Sequence, residues 1–333
     1  MTILAAYQGT YNYLYVHNPK IQMTMAYSFQ QDERIESGFK RIAADQIDRA
    51  ISSLQEQEKL REGIHDLRKR MKKLRGLLRL ARSGIGDDVY QQENDCFRNI
   101  ARDFSSVRDL TVLHEKLQVI NQEITNDACK SEIEGAIQQL AEQEEQEIAS
   151  LQEDGSRITN SISALQESRE RLMNLSLATD FQDVISNGLK RNYKRGGNAF
   201  LVAYETGDDE DIHEWRKRTK YLWYHLRLLK SAWLAVLEPL AEEAHRLSTY
   251  LGNDHDYTVL ADAMGNRQMS DKTKDLLAGQ INEKREELHQ NAYPLGQKIY
   301  AEKPKQFSRR MEAYWEAWQN NQLVENSSLL AAS

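Results

Sequence analysis

The chain has 333 residues, 40% hydrophobic and 29% charged, enough apolar material for a sizeable core. Its formal net charge is −7, so any affinity for a polyanion has to come from local patterning rather than from average charge. The two cysteines, Cys96 and Cys129, form no CxxC or zinc-like spacing, which points to a reducing compartment and away from a disulfide framework. No run approaches the length of a transmembrane helix.

Residues 1–29 read as an N-terminal extension. The first 28 are rich in Tyr and Met, and Lys20 is their only Lys, Arg, Asp or Glu. They lack a basic leader and a continuous apolar stretch, so no signal peptide is expected and a cytoplasmic protein is. Only four prolines, Pro19, Pro239, Pro294 and Pro304, interrupt a chain dominated by good helix formers, which predicts an all-α fold. Helices are expected over about 32–57, 61–82, 88–104 and 109–117, with Ser83, Gly84, Ile85, Gly86 and Asp87 as a stop and a new start. Residues 121–175 hold twelve Asp and Glu against four Lys and Arg. They read as one or two long solvated helices broken near Asp154-Gly155-Ser156. Ile148, Leu151, Ile158, Ile162, Leu165 and Leu172 keep a helical stripe there, which also fits a docking arm for a protein partner. Helical pattern resumes near Asp180, with a loop expected at Lys194-Arg195-Gly196-Gly197 and an acidic turn at Gly207-Asp208-Asp209. Helices over about 210–232, 237–252, 256–264, 271–293 and 304–319 and a frayed tail at 321–333 complete the reading.

An internal repeat organises this pattern. Residues 64–82, IHDLRKRMKKLRGLLRLAR, match residues 212–230, IHEWRKRTKYLWYHLRLLK, in register. A second pair, FSSVRDLTVL at 104–113 and LGNDHDYTVL at 251–260, follows at nearly the same offset. The halves, about 30–175 and 176–320, predict two roughly four-helix units related by a pseudo-two-fold axis.

At 100° per residue, Ile64, Leu67, Met71, Leu74 and Leu78 share one stripe of the first helix, and His65, Arg68, Lys72, Arg75 and Arg79 the neighbouring one. The second helix places Ile212, Trp215, Thr219, Leu222 and Leu226 beside His213, Arg216, Lys220, Trp223 and Arg227. Residues 64–82 carry eight Lys and Arg against one Asp, and residues 212–230 six against one Glu. Like charges at these spacings repel by a few tenths of a kcal/mol per pair. A face selected for stability alone would alternate signs. A cationic row beside the buried stripe, roughly 20 Å long at 1.5 Å per residue, suits an extended polyanion in a basic groove or pore.

These segments, IHDLRKRMKKLR with ENDCFRNIARDFSSVRDLTVL and IHEWRKRTKYLWYHLR with LSTYLGNDHDYTVL, resemble the CHAD family, the conserved-histidine α-helical domain, over roughly residues 30–320. The resemblance implies two four-helix bundles around a basic cavity that binds inorganic polyphosphate, with association to polyphosphate granules. It carries over to His65, Arg68, Lys69, Lys72, Arg75, His213, Arg216, Lys217 and Lys220, with Arg108 in the Arg-Asp motif and Lys194, Arg195, Lys305 and Arg309 as looser matches. Trp223 stands where the first copy has Arg75, and His255 where it has Arg108.

The expected function is non-catalytic binding, with no cofactor or metal ligand assigned. Nucleic-acid binding is the first alternative and a metal-dependent phosphohydrolase the second. Trp215 and Trp223 read as core rather than as base-stacking platforms, and neither a GxxxxGK[ST] nor an HExxH motif is present. His65 and His213, set among cations, should be neutral when the groove is empty, with proton uptake and tighter binding near pH 6.

Overall fold

The computed structural model describes residues 27–330 apart from positions 32 and 179, and their side chains apart from 57 and 321–330. Most of the expected extension, residues 1–26, and the last three residues of the tail lie outside this range. The described chain is all-helical, without strands. The helices are α1 Ile35–Gln55, α2 Leu60–Ile85, α3 Asp87–Asp103, α4 Ser105–Asn121, α5 Asp127–Asp154, α6 Ser156–Met173, α7 Asn187–Thr206, α8 Asp209–Leu229, α9 Leu234–Gly265, α10 Asp271–Ile299 and α11 Pro304–Leu330. No helix among the described residues is long and apolar enough to cross a membrane.

Two expected breaks fall at glycines with positive φ, Gly86 at 84° and Gly155 at 58°, a region that other residues enter only at a steric cost. Side-chain caps open α5 and α10: Asn126 Oδ1 accepts from Cys129 N at 3.1 Å, and Ser270 Oγ from Thr273 N at 3.3 Å.

Elsewhere tertiary packing overrides local signals. The loop expected at 194–197 is the middle of α7, because a Cβ at Gly196 would lie 2.6 Å from the Tyr300 ring and the glycine serves close packing. The break expected between 252 and 256 is continuous helix in α9, held by buried Leu251 and Tyr257 on either side and by buried Asp254 within it. Gly252 there faces the Arg216 guanidinium, 3.6 Å from where a Cβ would stand. α10 runs past Pro294, since Ala292, Leu295, Gly296 and Ile299 bury the turns around it. α4 extends to Asn121, and α11 continues past 319.

The acidic segment is not a free arm. α5 packs on α4 and α10, and α6 on α1 and α3. Leu151, Ile158, Leu165 and Leu172 are buried in the main core, so the stripe is satisfied within the chain.

Two apolar clusters result. The larger draws on Ile42, Met71, Phe97 and Leu165 from the first half and Tyr193, Trp215, Leu247 and Phe307 from the second. The smaller joins Leu117, Ile133 and Leu140 of α4 and α5 to Leu260, Leu277 and Ile281 of α9 and α10. Both mix the two halves, so position 175 does not separate two cores. Ionic clamps tie the basic helices to this frame. Arg61 Nε meets the buried Glu144 Oε1 at 3.1 Å, which also accepts from Thr111 Oγ1 at 2.7 Å. Arg285 bridges Asp209 at the start of α8 and the buried Asp254 of α9, 2.8 Å from its Nε.

Candidate functional site

The apolar stripes are buried as the periodicity requires: Ile64, Leu67, Met71, Leu74 and Leu78 on α2, and Ile212, Trp215, Thr219, Leu222 and Leu226 on α8, are at most 1% exposed. Their burial turns the basic stripes toward the space where α2 and α8 meet. The two helices cross at Gly76, where a Cβ would stand 3.0 Å from Tyr224 Cβ. His225 Nε2 donates to the Gly76 carbonyl at 3.1 Å, and burial pushes this imidazole down to about 3, so it is neutral at any physiological pH.

Before the crossing, α2, α4, α8 and α9 enclose a cleft of about 320 Å³. His65, Arg68, Lys69, Lys72, Arg108, Lys220 and Arg227 line it, together with Lys73, Trp223, Tyr224 and His245. Among the described residues, no carboxylate stands within 4.0 Å of Lys72, Arg216, Lys220 or Arg227. Lys72 is reached by solvent yet crowded by protein on most sides. Burial lowers its pKa to about 7, and Arg216, Arg68, Lys220 and Arg108 add repulsion. Burial and then Arg216 and Arg227 bring Lys220 to about 8, and burial and then Arg227 bring Lys73 to about 7. Arg68 donates from Nη1 to the Ala101 carbonyl while its buried Nε has no partner. Lys69 and Arg108 have distant carboxylates, Asp66 and Glu115, each at 3.6 Å.

Cations lie over Trp223 in the wall and over the buried Tyr27, which is outside the lining. Lys220 Nζ lies 4.3 Å from the Trp223 centroid, and the Arg227 guanidinium lies 5.2 Å from Trp223 and 5.5 Å from Tyr27. Trp215 is core as expected, but Trp223 is only partly buried and forms the wall, packed on His245 at 4.1 Å between centroids. The signal was its place on the basic stripe at the position of Arg75.

The two repeat histidines are not equivalent. His65 opens onto the cleft, with its pKa lowered by burial and then by Arg108, Lys69 and Lys72. His213 lies outside the cleft lining and packs on His255, 4.4 Å between ring centroids. Burial, then His255, Lys217 and Arg216, bring it to about 4, and its buried Nδ1 has no partner. Arg216 lies beside Gly252 of α9 and loads Lys72 and Lys220 electrostatically.

Beyond the crossing the basic row continues in a different setting. Asn94 Oδ1 accepts from Arg75 Nε at 3.1 Å and Arg79 Nη2 at 3.4 Å. Arg79 lies over Tyr221 at 4.3 Å and shares a small recess with Arg82, Arg191, Arg195 and Arg218. Glu214 reaches two of that group, Arg218 at 2.5 Å and Arg195 at 3.6 Å, and Lys217 outside it at 2.9 Å. Lys194 lines a separate aromatic groove, and Lys305 and Arg309 are exposed on α11 away from the cleft. That groove is larger, about 760 Å³, but Lys72, Lys220 and Arg227 come together in the smaller cleft. Among the described residues no three His, Cys, Asp or Glu side chains converge as metal ligands.

The family model for the CHAD domain matches residues 45–265, a span that contains the whole cleft lining. No curated protein matches the chain.

Proposed function

The chain belongs to the CHAD family, and from that premise we propose that it binds inorganic polyphosphate in the cleft of α2, α4, α8 and α9, without chemical turnover. The observation that carries this reading is the set of cations without carboxylate partners among the described residues, Lys72, Arg216, Lys220 and Arg227, where burial and then mutual repulsion depress two lysines to about 7 and 8. A site in that state is relieved by an anion with closely spaced charges. Each phosphate unit brings negative charge and acceptor oxygens, Arg supplies a planar multi-donor fork and Lys a mobile point charge. The covered face of Trp223 favours phosphate over stacked bases.

The helix order supports a duplicated unit. α1, α2, α3 with α4, α5 and α6 run in the same sequence as α7, α8, α9, α10 and α11. In this reading a pseudo-two-fold axis relates α2 to α8, and the ligand lies where their basic faces converge. The acidic residues within the two repeated basic segments are engaged by cations, Asp66 with Arg70 at 2.9 Å and Glu214 with Arg218, which supports binding rather than hydrolysis. The biological setting proposed is the cytoplasm, at polyphosphate granules.

The test is a calorimetric titration with long-chain polyphosphate, repeated with single-stranded and duplex nucleic acid at matched charge and across a salt series. The variant Arg68→Ala/Arg216→Ala serves as control. Polyphosphate binding that exceeds both nucleic acids and collapses in the variant supports the proposal. Equal affinity for all three polyanions reduces the cleft to a generic basic surface, and absence of binding at moderate salt removes the function.

A further inference from the structure

A second surface, remote in chemistry from the cleft, has the features of an interface. Three of the five exposed large hydrophobics among the described residues, Leu201, Val202 and Tyr204, fall within four residues of α7. Leu201 and Tyr204 border the groove between α7 and α10, whose walls include Phe200, Tyr293 and Tyr300. The rings are held in place: Tyr204 meets Tyr293 edge-on at 5.3 Å, and Tyr293 stacks on the buried Trp215 at 5.7 Å. Tyr293 also donates from its hydroxyl to the Ala203 carbonyl at 3.2 Å. A preformed apolar groove beside exposed aliphatic side chains is unfavourable in water and is typical of a contact surface.

The charges around it identify the occupant. At 100° per residue, Lys194, Asn198, Leu201 and Glu205 form one outward stripe of α7, all four exposed. The end near Tyr204 is acidic, with exposed Glu205, Asp208 and Glu210 joined by Glu286 and Glu287 of α10. The other end is basic, with exposed Lys190 and Lys194 joined by Lys298 and Lys303. None of these four lysines has a carboxylate within 4.0 Å among the described residues. A basic peptide would match one end only, and residues 1–26, with the single charge of Lys20, match neither. A second copy turned by a two-fold axis matches both. An axis between positions 199 and 200 sets Lys194 against the partner's Glu205, at each end, and Asn198 against the partner's Leu201. The same patch then serves on both sides, as a two-fold contact requires.

We infer that this face joins two copies of the chain in an antiparallel α7–α7 dimer. The inference does not depend on polyphosphate: of its residues only Lys194 matches a basic position of the family, and it lies outside the cleft.

The test is sedimentation equilibrium of the full chain without ligand, over a micromolar concentration range. The expected species has twice the 38.6 kDa mass of the chain. Leu201→Glu, at a side chain 56% exposed and therefore compatible with folding, should abolish it. Lys194→Glu and Glu205→Lys should each abolish it by placing like charges together. Combined in one chain they should restore it, a result that general loss of surface charge or partial unfolding does not produce. A wild-type monomer throughout the range overturns the inference, as does a dimer that survives Leu201→Glu or is not restored by the combined exchange.

Discussion

Replacing Lys72 by Met should make the protein more stable and a poorer binder at the same time. In the empty cleft Lys72 is held down to about 7, against 10.5 for an ordinary lysine, first by burial and then by four neighbouring cations. Taken at face value that difference is on the order of 4 kcal/mol of unfavourable charging at neutral pH. Lys72 is open to water, however, and solvent screening leaves about 1–2 kcal/mol. The folded-state value is the lower one, so the unfolded chain binds the extra proton and the native state gains stability as pH rises. The penalty is complete below pH 7, shrinks between 7 and 10.5, and is absent above, where the lysine is neutral in both states. Lys72→Met should therefore raise the melting temperature by a few degrees at pH 6–7, with the gain vanishing near pH 10. Lys69→Met, at an exposed lysine 3.6 Å from Asp66, should leave stability nearly unchanged. Thermal melts of the three proteins at four pH values read this directly. A destabilised Lys72→Met variant, or a gain equal at pH 6 and pH 10, would refute the claim that crowded charge is what the cleft stores.

Other outcomes follow from the same geometry. Polyphosphate affinity should be flat below pH 7 and fall from 7 toward 9, because binding must restore protons to Lys72 and then Lys220, with free-site values of about 7 and 8; titrations in buffers of different ionisation enthalpy should show proton uptake in that window, and pH-independent affinity would contradict it. This window lies above the pH 6 expected from His65 and His213, since His213 is near 4 and outside the lining. Arg68→Ala/Arg216→Ala should lower the slope of log affinity against log salt by about two. Gly188→Ala would put a Cβ 2.0 Å from the Leu80 carbonyl oxygen, where α7 touches α2; a loss of about 3 kcal/mol is expected, and an unchanged denaturation midpoint would show that the contact is looser than described. Asp254→Asn should cost about 3 kcal/mol by leaving the clamp on Arg285 without its buried charge, measured by urea unfolding.

The basic helices were legible in the sequence because one period governs both their buried and their charged stripes. Every expected apolar position on α2 and α8 is buried. What local pattern hid was how those helices meet. Gly76 has no distinguishing neighbourhood in sequence, yet the crossing with Tyr224 separates Lys72 in the cleft from Arg79 in the recess beyond. Trp223 was read as core because large aromatics usually are, whereas cations over its face make it a wall. Gly196, Gly252 and Pro294 share a reason: each normally punctuates a helix, and here buried neighbours on the same helix, and at Gly196 the Tyr300 ring, decide the backbone instead.

The clamps at the starts of the two basic helices bear on how such a chain reaches its fold. Residues 64–82 and 212–230 are alike enough to compete for each other's neighbours. The residues just ahead of them differ in sign: Arg61 meets Glu144 of α5, while Asp209 meets Arg285 of α10. A chain that assembled with α2 and α8 exchanged would set Arg61 against Arg285 and Asp209 against Glu144, cation on cation and anion on anion. The opposite polarity works as a proofreading mark that favours the native placement of two nearly interchangeable helices over the exchanged one.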